Sequence, residues 1–200
     1  RVTKKDPLAN RPALGFAYHM PARNTPEYYA MGLLDQLLVQ GDDSLLAQEL
    51  VNRRGYTGNV GGGINYLLGN MFNYEGPMLW MASLIHDPGT SSADVLTAVD
   101  GVVARLQQEP VEQAALDRAI VKWRSAFYDM QTELNGFGRS DLLASFALFD
   151  DDPARINRLE TELRKVSPEL VQRTAREYLR ATNRTVLTIE PGAAAAAPTK

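Results

Sequence analysis

Apolar and polar residues alternate from Ala13 to Met20. Leu14, Phe16, Tyr18 and Met20 fall on one side, and smaller residues plus His19 on the other. A period of two marks a half-buried strand, and Pro21 ends it. Thr25-Pro26 then opens a helix, with Thr25 as N-cap and Pro26 at the first helical position. Ala30, Leu33, Leu34, Leu37 and Leu38 line one apolar stripe along it, and Gly41 closes it. A second helix is predicted from Ser44 to Arg54, with Gly55 as its stop.

Tyr56 to Ile85 has a different texture, rich in Gly, Tyr, Asn and Phe and poor in charge. Two or three strands are expected there, joined by turns near Asn70 and Glu75-Gly76-Pro77. Leu79 to Ile85 reads as the buried one. The period then becomes helical. Val95, Val99, Val102, Val103 and Leu106 form one stripe. Leu116, Ile120, Trp123, Phe127 and Met130 form another, spaced four, three, four and three. Full burial of each such side chain contributes roughly 1.5–3 kcal/mol. Further helices are predicted from Gly138 to Phe149, and from Asp152-Pro153 through Ile156, Leu159, Leu163 and Val166. A last helix starts at Ser167-Pro168, where Val166 and Val171 can close a hydrophobic staple. Thr185 to Ile189 alternates as a closing strand.

The predicted order is strand, two helices, a strand meander, several helices and a final strand. Segregated helices favour an α+β layered domain over a doubly wound sheet. No repeat or linker divides the chain. One domain over residues 1–192 is expected, with frayed ends and a loose Ala-rich tail at 193–200.

Composition narrows the chemistry. The 200 residues carry a formal net charge of −3, which gives no electrostatic footprint for nucleic acid. The absence of cysteine excludes disulfides, thiolate nucleophiles and cysteine zinc sites. No apolar run is long enough to insert in a membrane. The opening Arg1-Val2-Thr3-Lys4-Lys5-Asp6-Pro7 has neither an initiator Met nor an apolar region. It is expected to be an excised piece whose natural N-terminus lies upstream. Alanine- and arginine-rich usage points to a bacterial parent, for which a periplasmic or secreted location is the expectation.

Candidate reactive groups are few. His19 and His86 are far apart and neither has a carboxylate partner at helical spacing, so neither the His-Glu-x-x-His zinc motif nor its inverse is available. Each reads as a polar residue at a strand end. No Gly-x-Ser-x-Gly elbow occurs. Gly61-Gly62-Gly63 is followed by no Gly-Lys-Ser/Thr, so it reads as a strand or bulge approached by another backbone. Its functional version is a strand edge that pairs with an extended peptide. Asp150-Asp151-Asp152 lacks the Gly and Glu of a calcium loop, and Asp152 before Pro153 reads as an N-cap. Glu112, Asp117, Arg118 and Lys122 read as a solvated helix face. Trp123 and Phe127 read as core.

Several segments together resemble the second domain of insulinase/pitrilysin-type zinc peptidase subunits, a family that includes mitochondrial processing peptidase. The opening strand Pro12 to Pro21 and the helix Thr25 to Leu38 are similar to that domain's beginning. Ser44-Leu45-Leu46-Ala47-Gln48-Glu49-Leu50-Val51-Asn52-Arg53-Arg54-Gly55 resembles a family segment reading Ser-x-Leu, Glu-Leu-Arg and Arg-Gly. Val111 to Ala119 is similar to its Glu-Leu-x-Arg-Ala helix start. Val166-Ser167-Pro168-Glu169 through Tyr178-Leu179 to Asn183-Arg184-Thr185-Val186 and Pro191 matches its closing helix and strand.

The resemblance implies a mostly antiparallel sheet packed against helices. It implies no cofactor in this chain, with zinc held by an upstream or partner domain, and a chain inactive alone. It further implies a chamber wall that encloses peptide substrate, a zinc-bearing companion domain or subunit, and a dimer in the full-length protein. Many relatives carry an Arg right after the Glu-Leu, then six residues and a Tyr, and both groups contact substrate. Here Val51 and Gly58 hold those positions. Arg53, Arg54 and Tyr56 lie close by, and with Gly61, Gly62 and Gly63 they are the candidate substrate-binding residues. Arg11 and Tyr18 have the family spacing by chance. The departure is compatible with a subunit that borrows the pair from a partner, or with an assembly subunit that lacks proteolytic activity.

Overall fold

The structure is a computed structural model, and residues 1–132 and 138–192 are described. The Ala-rich tail expected at 193–200 lies outside them. Five strands form one sheet: β1 (Val2–Asp6), β2 (Ala13–His19), β3 (Gly61–Ile64), β4 (Leu79–Ile85) and β5 (Arg184–Pro191). Their order is β1-β5-β2-β4-β3. β1 pairs with β5 in parallel, and the other three pairings are antiparallel. The helices are α1 (Pro26–Leu38), α2 (Ser92–Gln108), α3 (Gln113–Thr132), α4 (Gly138–Asp150), α5 (Leu159–Leu163) and α6 (Pro168–Tyr178). This is the layered α+β arrangement expected.

The β2–β4–β5 register puts Phe16, Ala82 and Val186 in one row, and Tyr18 and Trp80 in the next. All five are buried. The rings of Phe16 and Tyr18 lie 6.1 Å each from Trp80, within the range of favourable aromatic contacts. The rows between them hold Ala13, Ala17, Leu79, Ser83, Ile85 and Leu187, which are half-buried or exposed. The sheet is therefore covered on one face only. β4, which the sequence marks as the buried strand, is buried on alternate residues only.

α1 is buried around most of its circumference, including Asp35 and Gln36. It packs on α3, α5 and α6 as well as on β3. The single apolar stripe read from the sequence is thus too narrow, because helices cover the sides that the stripe leaves free. Thr25 caps α1 as expected, its hydroxyl accepting from Tyr28 N at 3.2 Å. Ser167 caps α6 in the same way. Lys122 does not belong to a solvated face. Its ammonium donates to the carbonyls of Gln36 at 3.2 Å and Gln40 at 2.5 Å, satisfying the open C-terminal end of α1 from a neighbouring helix.

Three further expectations are corrected. The N-terminus is not frayed, since β1 pairs with β5 over five residues. Its residues are almost all exposed, so no alternation betrays it, and Lys4 and Lys5 suit an exposed edge. Asp152 makes no capping bond: it precedes a 3-10 turn, Pro153–Asn157, and its carboxylate pairs with Arg158. The helix expected from there is broken into that turn and the short α5.

A second tie closes the opposite corner. Arg23 makes a two-pronged ion pair with Asp150 at 3.1 and 2.7 Å, and both side chains are buried. The same guanidinium donates to the Phe72 carbonyl at 2.8 Å. Phe72 is held by Trp123, Phe127 and Phe146, with ring centroids 6.4, 6.0 and 5.4 Å away.

Asp35 is a carboxylate buried in the core. Burial pushes its pKa up to about 7, against bonds from Trp80 and Gln40 and the charge of Lys122 that lower it. The folded state therefore holds a proton that the unfolded chain releases near pH 4. Stability from this residue is full below about pH 4 and is lost as pH rises to about 7. Asp35→Asn keeps an acceptor for Trp80 and removes the charge. Thermal melts from pH 5 to pH 8 are expected to show the wild type losing stability over that window. The variant should lose less and be the more stable protein at pH 8; a variant less stable at pH 8 contradicts this reading.

Candidate functional site

The segment after α1 forms a π-helical turn, Ala47–Arg53, where an α-helix was expected. In a helix wound i→i+5, residues four and five positions on both come near residue i. At 3.6 residues per turn, position i+5 points elsewhere. Here Arg53 and Arg54 both reach Glu49, at 3.1 and 2.6 Å. Glu49 is buried. The Arg54 hydrogen bond, helped by Arg53, holds its carboxyl below the usual range. Gly55 has φ +62°, the left-handed turn that stops the helix.

Arg54 also donates to the Tyr56 hydroxyl at 3.1 Å and lies 5.5 Å from the centre of that ring. Arg53, Arg54 and Tyr56 thus form one cluster around Glu49. Two guanidinium groups against one carboxylate leave it with a net positive charge. Arg53 is the freer of the two, with 70% of its side chain exposed.

Gly61, Gly62 and Gly63 lie on β3, at one edge of the sheet. A Cβ on Gly62 would come within 2.8 Å of Ala82 Cα, so the expected close backbone approach is present. Gly62 and Gly63 are buried, and the Gly62 carbonyl accepts from Gln40 Nε2 at 3.1 Å. Gly61 faces the uncovered side. With Arg11, Gly58, Asn59 and Ile85 it lines a cleft of about 460 Å³. The Thr57 hydroxyl braces one wall through the Ile85 carbonyl at 2.7 Å.

Val51 is half-buried, and a Cβ at Gly58 would meet nothing within 4 Å. Gly58, which the family resemblance aligns with a Tyr, therefore has room for a larger side chain. Arg11 and Tyr18 do not converge. Arg11 pairs with Asp87 at 2.6 Å on the surface, while Tyr18 is buried and bonded to Arg184 at 3.0 Å.

The two histidines are also separated. His19 faces Leu79, seven residues along β4 from His86, roughly 23 Å at about 3.3 Å per residue. His19 is an exposed strand-end residue. His86 is buried, with Nε2 2.8 Å from the Ser92 hydroxyl. Among the described residues no group of three or more His, Cys, Asp or Glu side chains could hold a metal ion. No helix there is long and apolar enough to cross a membrane. The sequence reading missed Asp35, a carboxylate set inside the most apolar helix. Its position between Leu34 and Leu37 was the only available signal.

Comparison with known proteins agrees with this architecture. A protease from Helicobacter pylori superposes with a TM-score of 0.78 at 17% identity, covering 95% of this chain and 43% of that one. The inactive peptidase domain of a predicted zinc protease from Bordetella parapertussis gives 0.76 at 24% identity, covering 95% and 96%. A peptidase M16 inactive domain from Pseudomonas fluorescens gives 0.75 at 19%, covering 96% and 43%. This chain thus spans less than half of the Helicobacter and Pseudomonas chains. No curated protein matches it. The family model described as the peptidase M16 inactive domain matches residues 1–122, more than half of the sequence, and the chain belongs to that family.

Proposed function

We propose that this domain is the non-catalytic wall of a chamber in a zinc-dependent endopeptidase. It encloses peptide substrate together with a homologous zinc-bearing domain or subunit, in a dimeric parent. The observation that carries this reading is the uncovered face of the sheet. Leu187, Ile85 and Leu79 are 40%, 57% and 39% exposed there, among Ala13, Gly15 and Ala17. Ser83, Thr185 and His19 share that face, and large apolar side chains left exposed on one face of a folded domain's sheet suit contact with a polypeptide. The cleft that includes Gly58 and Gly61 continues that face at one end.

Arg53, Arg54 and Tyr56 supply positively charged and stacking groups for the substrate, with Gly61, Gly62 and Gly63 as its backbone-level contact. Residues 61–63 act mainly through Gly61, because Gln40 occupies the Gly62 carbonyl.

Val51 and Gly58 favour a second reading, an assembly subunit without proteolytic activity. Binding of a long unstructured fluorescent peptide, followed by anisotropy, tests the first. Ile85→Lys with Leu187→Lys alters only exposed positions and is expected to weaken binding about tenfold, or about 1.4 kcal/mol. Unchanged binding would remove the chamber reading.

The same titration separates the alternatives. Val51→Arg with Gly58→Tyr restores the family pair, with Gly58 in open space and Val51 at a half-buried position against the core. It is expected to strengthen peptide binding several-fold in a variant that circular dichroism shows to be folded. Unchanged affinity in this folded variant favours the assembly role.

A further inference from the structure

Between α1, β3, the loop that follows β3 and α3 lies a second pocket, of about 260 Å³. Its apolar wall includes Met71, Phe72, Trp123, Phe127 and Met130, and among the described residues Asp35 is the one charged group that lines it. It opens beside the Gly62–Ile64 stretch of the edge strand, on the helix-covered side of the sheet. It is too small for a drug-sized ligand and far larger than one water needs. One long side chain is the natural occupant.

Asp35 is 7% exposed. Its Oδ1 accepts from Trp80 Nε1 at 2.8 Å, and its Oδ2 from Gln40 at 3.1 Å and Gln36 at 3.5 Å. A carboxylate offers about four lone-pair sites, so acceptor capacity remains. Among the described residues no cation pairs with it. Lys122, whose charge it feels, directs its ammonium to two backbone carbonyls and to Asp43 at 2.6 Å. An ionised carboxylate buried without a counter-ion is costly. A neutral apolar occupant would leave that cost in place, and an anion would raise it. A cation on a methylene stem removes it, because the stem suits the apolar wall and the aromatic rings favour the charged head.

We propose that this pocket receives the lysine or arginine side chain of an extended peptide segment, with Asp35 as its counter-ion. The peptide-binding reading above supplies only the identity of the segment. The pocket's preference for a cation stands on the residues named here, and it lies on the other side of the sheet from the open face.

The two tryptophans of the chain, Trp80 and Trp123, are both at this site, so their indole N–H resonances report on it. At pH 8, butylguanidinium and butylammonium are expected to shift the Trp80 indole signal saturably, and pentan-1-ol is not. Asp35→Asn should weaken the response at least tenfold. Ala126→Phe, which fills the exposed rim without touching the carboxylate, should do the same, and it serves if Asp35→Asn does not fold. Ile85→Lys with Leu187→Lys should leave the response intact, which separates this proposal from the chamber reading. A capped tripeptide with a central arginine should bind at least as tightly as butylguanidinium.

No saturable shift with either cation overturns the proposal, as does a response kept in either pocket variant or matched by the alcohol. Binding of the free cation without the tripeptide overturns its peptide part.

Discussion

Helix α1 must be covered on nearly every side, and the rest of the fold follows from that constraint. Tyr28, Tyr29, Ala30, Met31, Leu33, Leu34 and Leu38 are all buried, more than one apolar stripe can account for. The sheet covers one side, and α3, α5 and α6 cover others. Stacking these helices over α1 places them on one face of the sheet. The opposite face is left with exposed Leu79, Ile85 and Leu187. An M16 inactive domain with a bare sheet face is a domain with a surface still to be covered, and the chamber reading grows from that.

Such a core tolerates few polar groups, and the ones present are specific. Arg23 and Asp150 are both buried, and their pairing ties the β2–α1 corner to the end of α4. Removing either partner alone would strand a buried charge, which typically costs 3–5 kcal/mol. Lys122 closes α1 from α3. Asp35 joins α1 to the sheet through Trp80, yet it alone among these carboxylates lacks a cation. A charge left uncompensated in a stable core is a feature that function explains more readily than stability does.

Much of this was legible in the chain because local chemistry agreed with the tertiary result. β2 and β5 alternate, Thr25-Pro26 and Ser167-Pro168 mark helix starts, and Gly62 stands where only glycine clears the Ala82 backbone. What stayed hidden depends on long-range partners. β1 has no buried face, so only its pairing with β5 defines it. The π-helical turn is visible through Glu49 holding Arg53 and Arg54, a relation that α-helical spacing does not suggest. For the site, the proximity of Arg54 and Tyr56 was readable, while the inward burial of Gly62 and Gly63 was set by Gln40 and the following loop. Lys122 looked like a surface charge because its partners lie some eighty residues earlier in the sequence.

Under the chamber proposal, zinc held outside this chain carries the chemistry, and this domain shapes and binds. Elemental analysis of the purified chain after dialysis against trace zinc tests that division most directly. The expected result is bound zinc well below one equivalent, unchanged by substitution of His19 or His86. Close to one equivalent, lost when either histidine is replaced, would contradict it and place a metal site in the domain itself.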